Sequence, residues 1–248
     1  MSARGRAKGK KGTAGYQIFS LEEHARSKGM WAGLLAKAQI PGLRGVYMRG
    51  TEAEPRPVLE PIPNEHVPAV LKVIDEGLVN ASDHAKEHAG ARKKDRVTEV
   101  SLDYDRATGR ATIRNDGPGI PIVEHAGATE ALGRATYVPE VAFAVFLAGR
   151  NMEKPPDCIK GGVNGIGAKL MNVHSTEFEL ETCCGGQLYT QRFEDRMRVR
   201  HEPAIERTKR KDFTRVSFVP AYRTFGYDYP AGELTETDGA EIEAWCHW

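Results

Sequence analysis

Residues 75–83 read Asp-Glu-Gly-Leu-Val-Asn-Ala-Ser-Asp, and they lie inside the most strongly patterned helix of the chain, expected over residues 67–87. Val70, Ile74, Leu78 and Ala81 recur at helical spacing and form its apolar stripe. Glu76 and Asn80 stand four residues apart and Asp83 three further on, so these three share a second face. One side of the helix can pack while the other lines a site. Asn80 offers a neutral oxygen ligand to magnesium, and Glu76 can orient and deprotonate a water. Taken alone, the same face reads more readily as a solvated polar surface, because such pairs are common on helices.

Working outward, Val100, Leu102 and Tyr104 alternate in one strand and Ala111 and Ile113 in the next, with a hairpin loop at residues 105–109. The second strand runs into Asn115-Asp116-Gly117-Pro118-Gly119-Ile120-Pro121, whose glycines and prolines must leave the sheet. The side chain of Asn115 is within reach of a base edge there, with the glycines leaving room for a flat ring; the plainer reading is a turn. Residues 141–147 are apolar and read as a buried helix after Pro139, and residues 168–174 as the start of another. Residues 178–181, 188–193 and 214–219 read as strands. Before the central helix, residues 16–27 suggest an extended piece and a helix capped near Ser20. Residues 41–63, rich in Pro, Gly and charge, suggest a loop or irregular connection. Helices and mainly antiparallel strands without βαβ alternation predict an α/β fold, a two-layer α/β sandwich.

Residues 161–169, Gly-Gly-Val-Asn-Gly-Ile-Gly-Ala-Lys, form a second chemical element. Their glycines let backbone N–H groups approach an anion, the following helix presents its positive end, and Lys169 adds a charge. The GxxxxGK[ST] spacing is absent, and no clear strand leads in as a dinucleotide fingerprint would require. A flexible loop is the alternative.

The chain has 248 residues, 40% hydrophobic and 28% charged, with a formal net charge of +1. It can bury a core, and no overall field marks a nucleic-acid partner. Residues 1–15 carry Arg4, Arg6, Lys8, Lys10 and Lys11 without an acid and read as a disordered basic arm, either a nucleic-acid contact or a solubilising terminus. Cys158, Cys183, Cys184 and Cys246 lack CxxC spacing, which argues against a disulfide framework and a zinc site. The eight histidines show no HExxH pattern and read as surface or core residues. No apolar run has the length of a membrane span, and there is no signal-peptide pattern, so a soluble intracellular protein with no membrane partner is expected.

The stretches DEGLVNASDHA, RNDGPGIPI, YVPEVAFAVFLAGRN and KGGVNGIGAKLMNVHSTEFELET resemble the ATPase domain of type II DNA topoisomerases of the eukaryotic and large-DNA-virus type. The resemblance runs from about Tyr16 to near Phe225. It implies the mixed, mainly antiparallel sheet covered by helices of the GHKL ATPase type, over residues 16–248. It also implies ATP and Mg2+ as ligands, with Glu76 as general base and Asn80 as magnesium ligand. Asp83 and Asn115 match nucleoside positions; Gly149, Arg150 and Asn151 fall near ribose and phosphates. Gly162, Val163, Asn164, Gly165, Ile166, Gly167, Ala168 and Lys169 match the phosphate loop. Tyr16 sits where a strap crosses to the partner's nucleotide.

Two positions depart from the family, which usually has Arg at Val163 and Tyr at Ile166; Arg150, in place of a serine, is expected to restore a charge. Residues 28–53 lack the usual Arg-Pro-x-Met-Tyr-Ile-Gly strap. The family's Gln-Thr-Lys loop, toprim carboxylates and DNA-cleaving tyrosine are absent, so a C-terminally incomplete ATPase domain is expected, binding ATP but hydrolysing it slowly alone. The resemblance implies an ATP-driven homodimer gate through which a full-length enzyme passes double-stranded DNA. Its location is expected in the nucleus if cellular, or the host cytoplasm or virion if viral. A nucleotide-sensing dimerisation module with little hydrolysis is the alternative; the GGVNGIGAKL and YVPE stretches argue against a chaperone or histidine kinase.

Overall fold

The computed structural model describes residues 20–27, 38–39, 44–51, 54–61, 65–92, 95–146, 166–227 and 242. In chain order it contains α1 (Leu21–Ser27), β1 (Ala38–Gln39), β2 (Arg44–Thr51), β3 (Glu54–Pro61), β4 (Glu65–His66) and α2 (Pro68–Glu87). Then come β5 (Val100–Asp105), β6 (Arg110–Asp116), α3 (Ala126–Leu132), α4 (Val138–Ala144) and α5 (Gly167–Val173). The chain continues through β7 (Ser175–Cys184), β8 (Gln187–Glu194), β9 (Val199–Arg200), β10 (Ala204–Arg207), β11 (Phe213–Pro220) and a 3-10 turn, Tyr222–Phe225.

The main sheet has the order β10-β8-β7-β11-β6-β5, with β9 beside β8, and all its pairings among the described residues are antiparallel. Its two faces differ as the strand period of two requires. Ala111 and Ile113 from β6, Phe178 and Leu180 from β7, Tyr189 and Phe193 from β8, and Val216 and Phe218 from β11 are buried in one core with Val70, Val73, Ile74 and Met171 of the helices. The opposite face is laced with charge: Arg110 meets Glu177 at 2.6 Å, Arg210 meets Glu181 at 2.9 Å, and Arg215 also pairs with Glu181. One covered face and one charged face make the two-layer sandwich that the strand pattern predicts.

Helix α2 is the core's main apolar partner: Ala69, Val70, Val73, Ile74, Gly77 and Ala81 are buried along it. Pro68 starts it where a missing N–H is tolerated. Helix α1 begins with a reciprocal cap, Glu23 N donating to Ser20 Oγ at 3.2 Å and Ser20 N to a Glu23 carboxylate oxygen at 3.0 Å. It packs Ala25 on Leu170 and Val173 of α5.

Two expectations change. Residues 41–63 are not simply irregular, because β2 and β3 form a hairpin with Arg44 opposite Pro61 and Thr51 opposite Glu54. Pro55, Pro57 and Pro61 all fall at odd positions, so the N–H groups they lack belong to one edge of β3, and pairing proceeds through the other. Helix α3 was not visible as a periodic segment since it buries only Ala128. His125 caps it by accepting from Ala128 N at 3.1 Å, and Gly133 ends it in the left-handed region.

Glu140, in the YVPE stretch, is 1% exposed and lies between two guanidinium groups. Arg200 donates through Nε at 2.6 Å and Nη2 at 2.9 Å, and Arg134 through Nη2 at 2.6 Å. The pair of arginines joins α4 to β9. Burial alone would raise the Glu140 carboxyl, but the hydrogen bonds from Arg200 and Arg134 outweigh it and hold the group below its ordinary value. Glu140→Ala leaves both arginines without their shared acceptor and should lower unfolding stability by about 3–5 kcal/mol in urea denaturation. The folded value is depressed, so the ionic contribution is present above the unfolded carboxyl value near ~4.3 and is lost as pH falls through the folded one. The gap between wild type and Glu140→Gln should therefore shrink on acidification below about pH 4.

Candidate functional site

Gly77 sets how closely α2 lies on its neighbours. A Cβ there would stand 2.3 Å from Ile113 Cδ1 and 2.9 Å from Met171 Sδ, so a larger residue would have to displace the ends of both side chains. Further along, His84 Nε2 lies 2.7 Å from the Pro118 carbonyl oxygen. Gly77 over Ile113 and His84 against Pro118 fix α2 on β6 at two points, one on either side of Asn80 and Asp83 in the chain.

The polar face of α2 is turned inward rather than to bulk water. The Glu76 side chain is 15% exposed, and Lys72 Nζ holds its Oε1 at 2.7 Å while also reaching Asp75 at 3.1 Å. Burial would lower the Lys72 ammonium, but bonds to Glu76 and Asp75 leave it raised overall. The other Glu76 oxygen lies against the first residue of α5: a Cβ on Gly167 would sit 1.9 Å from Oε2. The last part of the glycine-rich stretch and the helix carboxylate thus meet directly.

Asn80 Nδ2 is buried with no hydrogen-bond partner among the described residues. Oxygen and nitrogen of a carboxamide are assigned from their bonding, so this unpartnered end can equally present the oxygen that a hard cation prefers. Asp83 is 8% exposed and lies 3.6 Å from Lys86 Nζ. Asn115 is buried on the same face of β6 as Ala111 and Ile113, with Nδ2 donating to the Asp116 carbonyl at 2.9 Å.

The loop after β6 differs from the sequence expectation in one respect. Its glycines do not leave space for a ring: Gly119 lies so close to β7 that a Cβ would meet the Cys183 carbonyl oxygen at 1.9 Å, and at Gly117 one would meet the Arg96 carbonyl oxygen at 2.7 Å. The room is filled by the protein's own backbone. Thr182 fixes the loop, accepting from Ile120 N at 3.0 Å while its hydroxyl lies 2.9 Å from the Phe213 carbonyl oxygen.

Of the phosphate-loop stretch, Ile166, Gly167, Ala168 and Lys169 are described. Ile166 precedes α5, and Lys169 is 3% exposed in its first turn, its ammonium pushed down to about 8 by burial. Tyr16, Gly149, Arg150, Asn151, Gly162, Val163, Asn164 and Gly165, like the basic arm, lie outside the described residues. Three further residues escaped the sequence reading. Lys72 was detectable as an i,i+4 partner of Glu76, whereas the parts of Thr182 and His84 depend on segments brought together only by folding.

No family profile matches the chain. Individual relatives do. It is 44% identical over 232 residues to the DNA topoisomerase 2 of African swine fever virus, an alignment covering 94% of this chain and 18% of that protein. Over 163 residues it is 33% identical to the DNA topoisomerase 2 of Acanthamoeba polyphaga mimivirus and 35% to that of Penicillium chrysogenum, covering 65% of this chain and 12% and 10% of theirs. The chain thus spans less than a fifth of the length of these relatives. Its fold is similar to the ATPase region of Saccharomyces cerevisiae topoisomerase II, with a TM-score of 0.74 and 27% identity over 92% of this chain and 56% of that one. The ATPase and transducer domains of DNA topoisomerase II from Balamuthia mandrillaris give 0.75 and 28% over 92% and 54%.

Gly167→Ala provides a local test of the meeting of α2 and α5. The added methyl must displace the Glu76 carboxylate and break its contact with Lys72, a flexible adjustment within the roughly 1–3 kcal/mol range of overpacking. Replacing Gly by Ala in a helix returns about 1 kcal/mol. The net loss of stability should therefore be at most about 2 kcal/mol, while the Glu76 side-chain carboxyl resonance and the Lys72 ammonium resonance both shift in NMR spectra.

Proposed function

We propose, since this chain belongs to the type II DNA topoisomerase family and aligns with its ATPase region, that it binds ATP together with magnesium and hydrolyses it. The observation that carries this reading is Glu76, an ordered carboxylate held between Lys72 and Gly167 at the end of a glycine-rich stretch. An acid fixed there, on a face that also carries the unpartnered Asn80 amide, is suited to act on a water beside a phosphate chain.

In this mechanism Glu76 accepts a proton from water as the water oxygen attacks the γ-phosphorus. The bridging P–O bond to the β-phosphate breaks, leaving ADP and inorganic phosphate. Lys72 is a positioning residue that fixes one carboxylate oxygen and leaves the other to point at α5. Asn80 supplies a neutral oxygen to magnesium, which when bound neutralises charge on the phosphates. Asp83 and Asn115, one on α2 and one at the end of β6, are assigned to the nucleoside. Gly149, Arg150 and Asn151 are assigned to ribose and phosphates. Gly162, Val163, Asn164, Gly165, Ile166, Gly167, Ala168 and Lys169 form the phosphate cradle.

The reading extends to the larger protein. ATP favours a closed homodimer by binding it better than the open form, and the longer enzyme uses that closure in passing one DNA duplex through another. No helix among the described residues is long and apolar enough to cross a membrane. The enzyme acts where its DNA is, in the nucleus of a cellular source or the host cytoplasm or virion of a viral one.

Glu76→Ala should leave ATP binding within a few-fold of the parent and reduce single-turnover hydrolysis by about 100-fold or more. Turnover at the parental rate would remove Glu76 from the chemistry. Absence of hydrolysis in the full-length protein, with binding intact, would favour the nucleotide-sensing dimerisation module instead.

Lys169 provides a second test through pH. Its ammonium titrates near about 8 in the free chain, and a bound polyphosphate favours its charged form, raising that value. Binding should therefore take up a proton near pH 8 and weaken as pH rises beyond it. Calorimetry at pH 8.5 in two buffers of different ionisation enthalpy reads the uptake directly, and Lys169→Met should abolish it.

A further inference from the structure

The last turn of α2 and the residue after it read His84-Ala85-Lys86-Glu87-His88. A search for the order His-Glu-x-x-His passes over this segment, because the carboxylate precedes the second histidine rather than following the first. On a helix the inverted order still gathers all three on one turn. One ligand atom from each of His84, Glu87 and His88 lies within 4.8 Å of the others, and the two imidazole centroids are 4.4 Å apart.

A second observation concerns the opposite side of each ring. His84 Nε2 lies 2.7 Å from the Pro118 carbonyl oxygen, and His88 Nδ1 lies 2.9 Å from the His84 carbonyl oxygen. A carbonyl only accepts, so each of those nitrogens carries its proton. In the neutral rings the lone pairs are then on His84 Nδ1 and His88 Nε2. Imidazoles backed by a main-chain carbonyl in this way have the tautomer that metal ligands adopt.

We propose that His84, Glu87 and His88 bind a divalent cation of the zinc class, with water completing the coordination. Two imidazole nitrogens and one carboxylate oxygen suit Zn2+, Co2+ or Ni2+, and they do not suit the all-oxygen preference of Mg2+. Bonds of about 2.0–2.2 Å in a tetrahedron place ligand atoms roughly 3.3–3.5 Å apart. Closing that difference calls for movement chiefly of the exposed Glu87 side chain, with the two half-buried rings staying on their carbonyls. His84 lies one turn beyond Asn80 on the same helix, and the three metal ligands need no nucleotide to complete them. Through the His84–Pro118 bond an ion here braces the loop after β6 against α2.

The test is titration of the nucleotide-free protein with ZnSO4 in the presence of excess Mg2+, followed by calorimetry and thermal melting, with Co2+ absorption as the coordination readout. Saturable one-to-one binding in the micromolar range, a rise in melting temperature, and a tetrahedral Co2+ spectrum are expected. His88→Ala and Glu87→Gln should each weaken binding by about tenfold or more and remove the thermal shift, while circular dichroism without metal stays that of the parent. Equal Zn2+ affinity in the parent and both variants, or no saturable binding below millimolar concentrations, would overturn the proposal.

Discussion

Everything at the candidate site depends on how closely α2 lies on the sheet and on α5. Gly77 permits that approach, since the space a side chain would need is occupied by Ile113 and Met171. The packing buries the apolar stripe of α2 and at the same time turns its second face toward the start of α5 and the end of β6. A helix held an ångström or two further out would still bury most of its stripe, at roughly 25 cal/mol per Å2 of apolar area. It would no longer bring Glu76 against Gly167 or His84 against Pro118.

The polar interior is supported unevenly. Glu140 is bonded by two arginines and Thr182 is bonded on both sides. By contrast, both ring nitrogens of His174 and Oδ1 of Asn172 are buried with no partner among the described residues. Burial, with a smaller contribution from Arg196, pushes the His174 imidazole down to about 4, so it is neutral at physiological pH. These two residues occupy the end of α5 and the turn that follows, just after the stretch assigned to phosphates. Unsatisfied groups of this kind each cost about 1–3 kcal/mol.

The turn between β8 and β9 carries a different constraint. Asp195, Arg196 and Met197 have φ values of 48°, 59° and 63°, three successive left-handed residues, none of them glycine. Each costs roughly 1–2 kcal/mol relative to its right-handed conformation. Reciprocal bonds offset this: Arg196 Nη2 donates to the Arg26 carbonyl oxygen, and Arg26 Nε donates to the Arg196 carbonyl oxygen, at 2.5 and 2.8 Å. They tie α1 to the turn between β8 and β9.

Much of this was legible in the residues alone. The alternation in β5 and β6 and the stripe of α2 are periodic patterns that depend only on local geometry, and the segments of β7, β8 and β11 read as strands. Glu76, Asn80 and Asp83 could be placed on one face for the same reason. The hairpin of β2 and β3 was hidden because its prolines read as breaks, and α3 because a helix burying one alanine has no stripe. What the glycines do was decided only by tertiary structure. At Gly77, Gly119 and Gly167 the neighbour that fills the space comes from another element, so sequence shows an available position but not its occupant. The same holds for His84, Glu87 and His88. Their spacing was present from the start, but the carbonyl of Pro118 that orients His84 is brought there by the packing of α2 on β6.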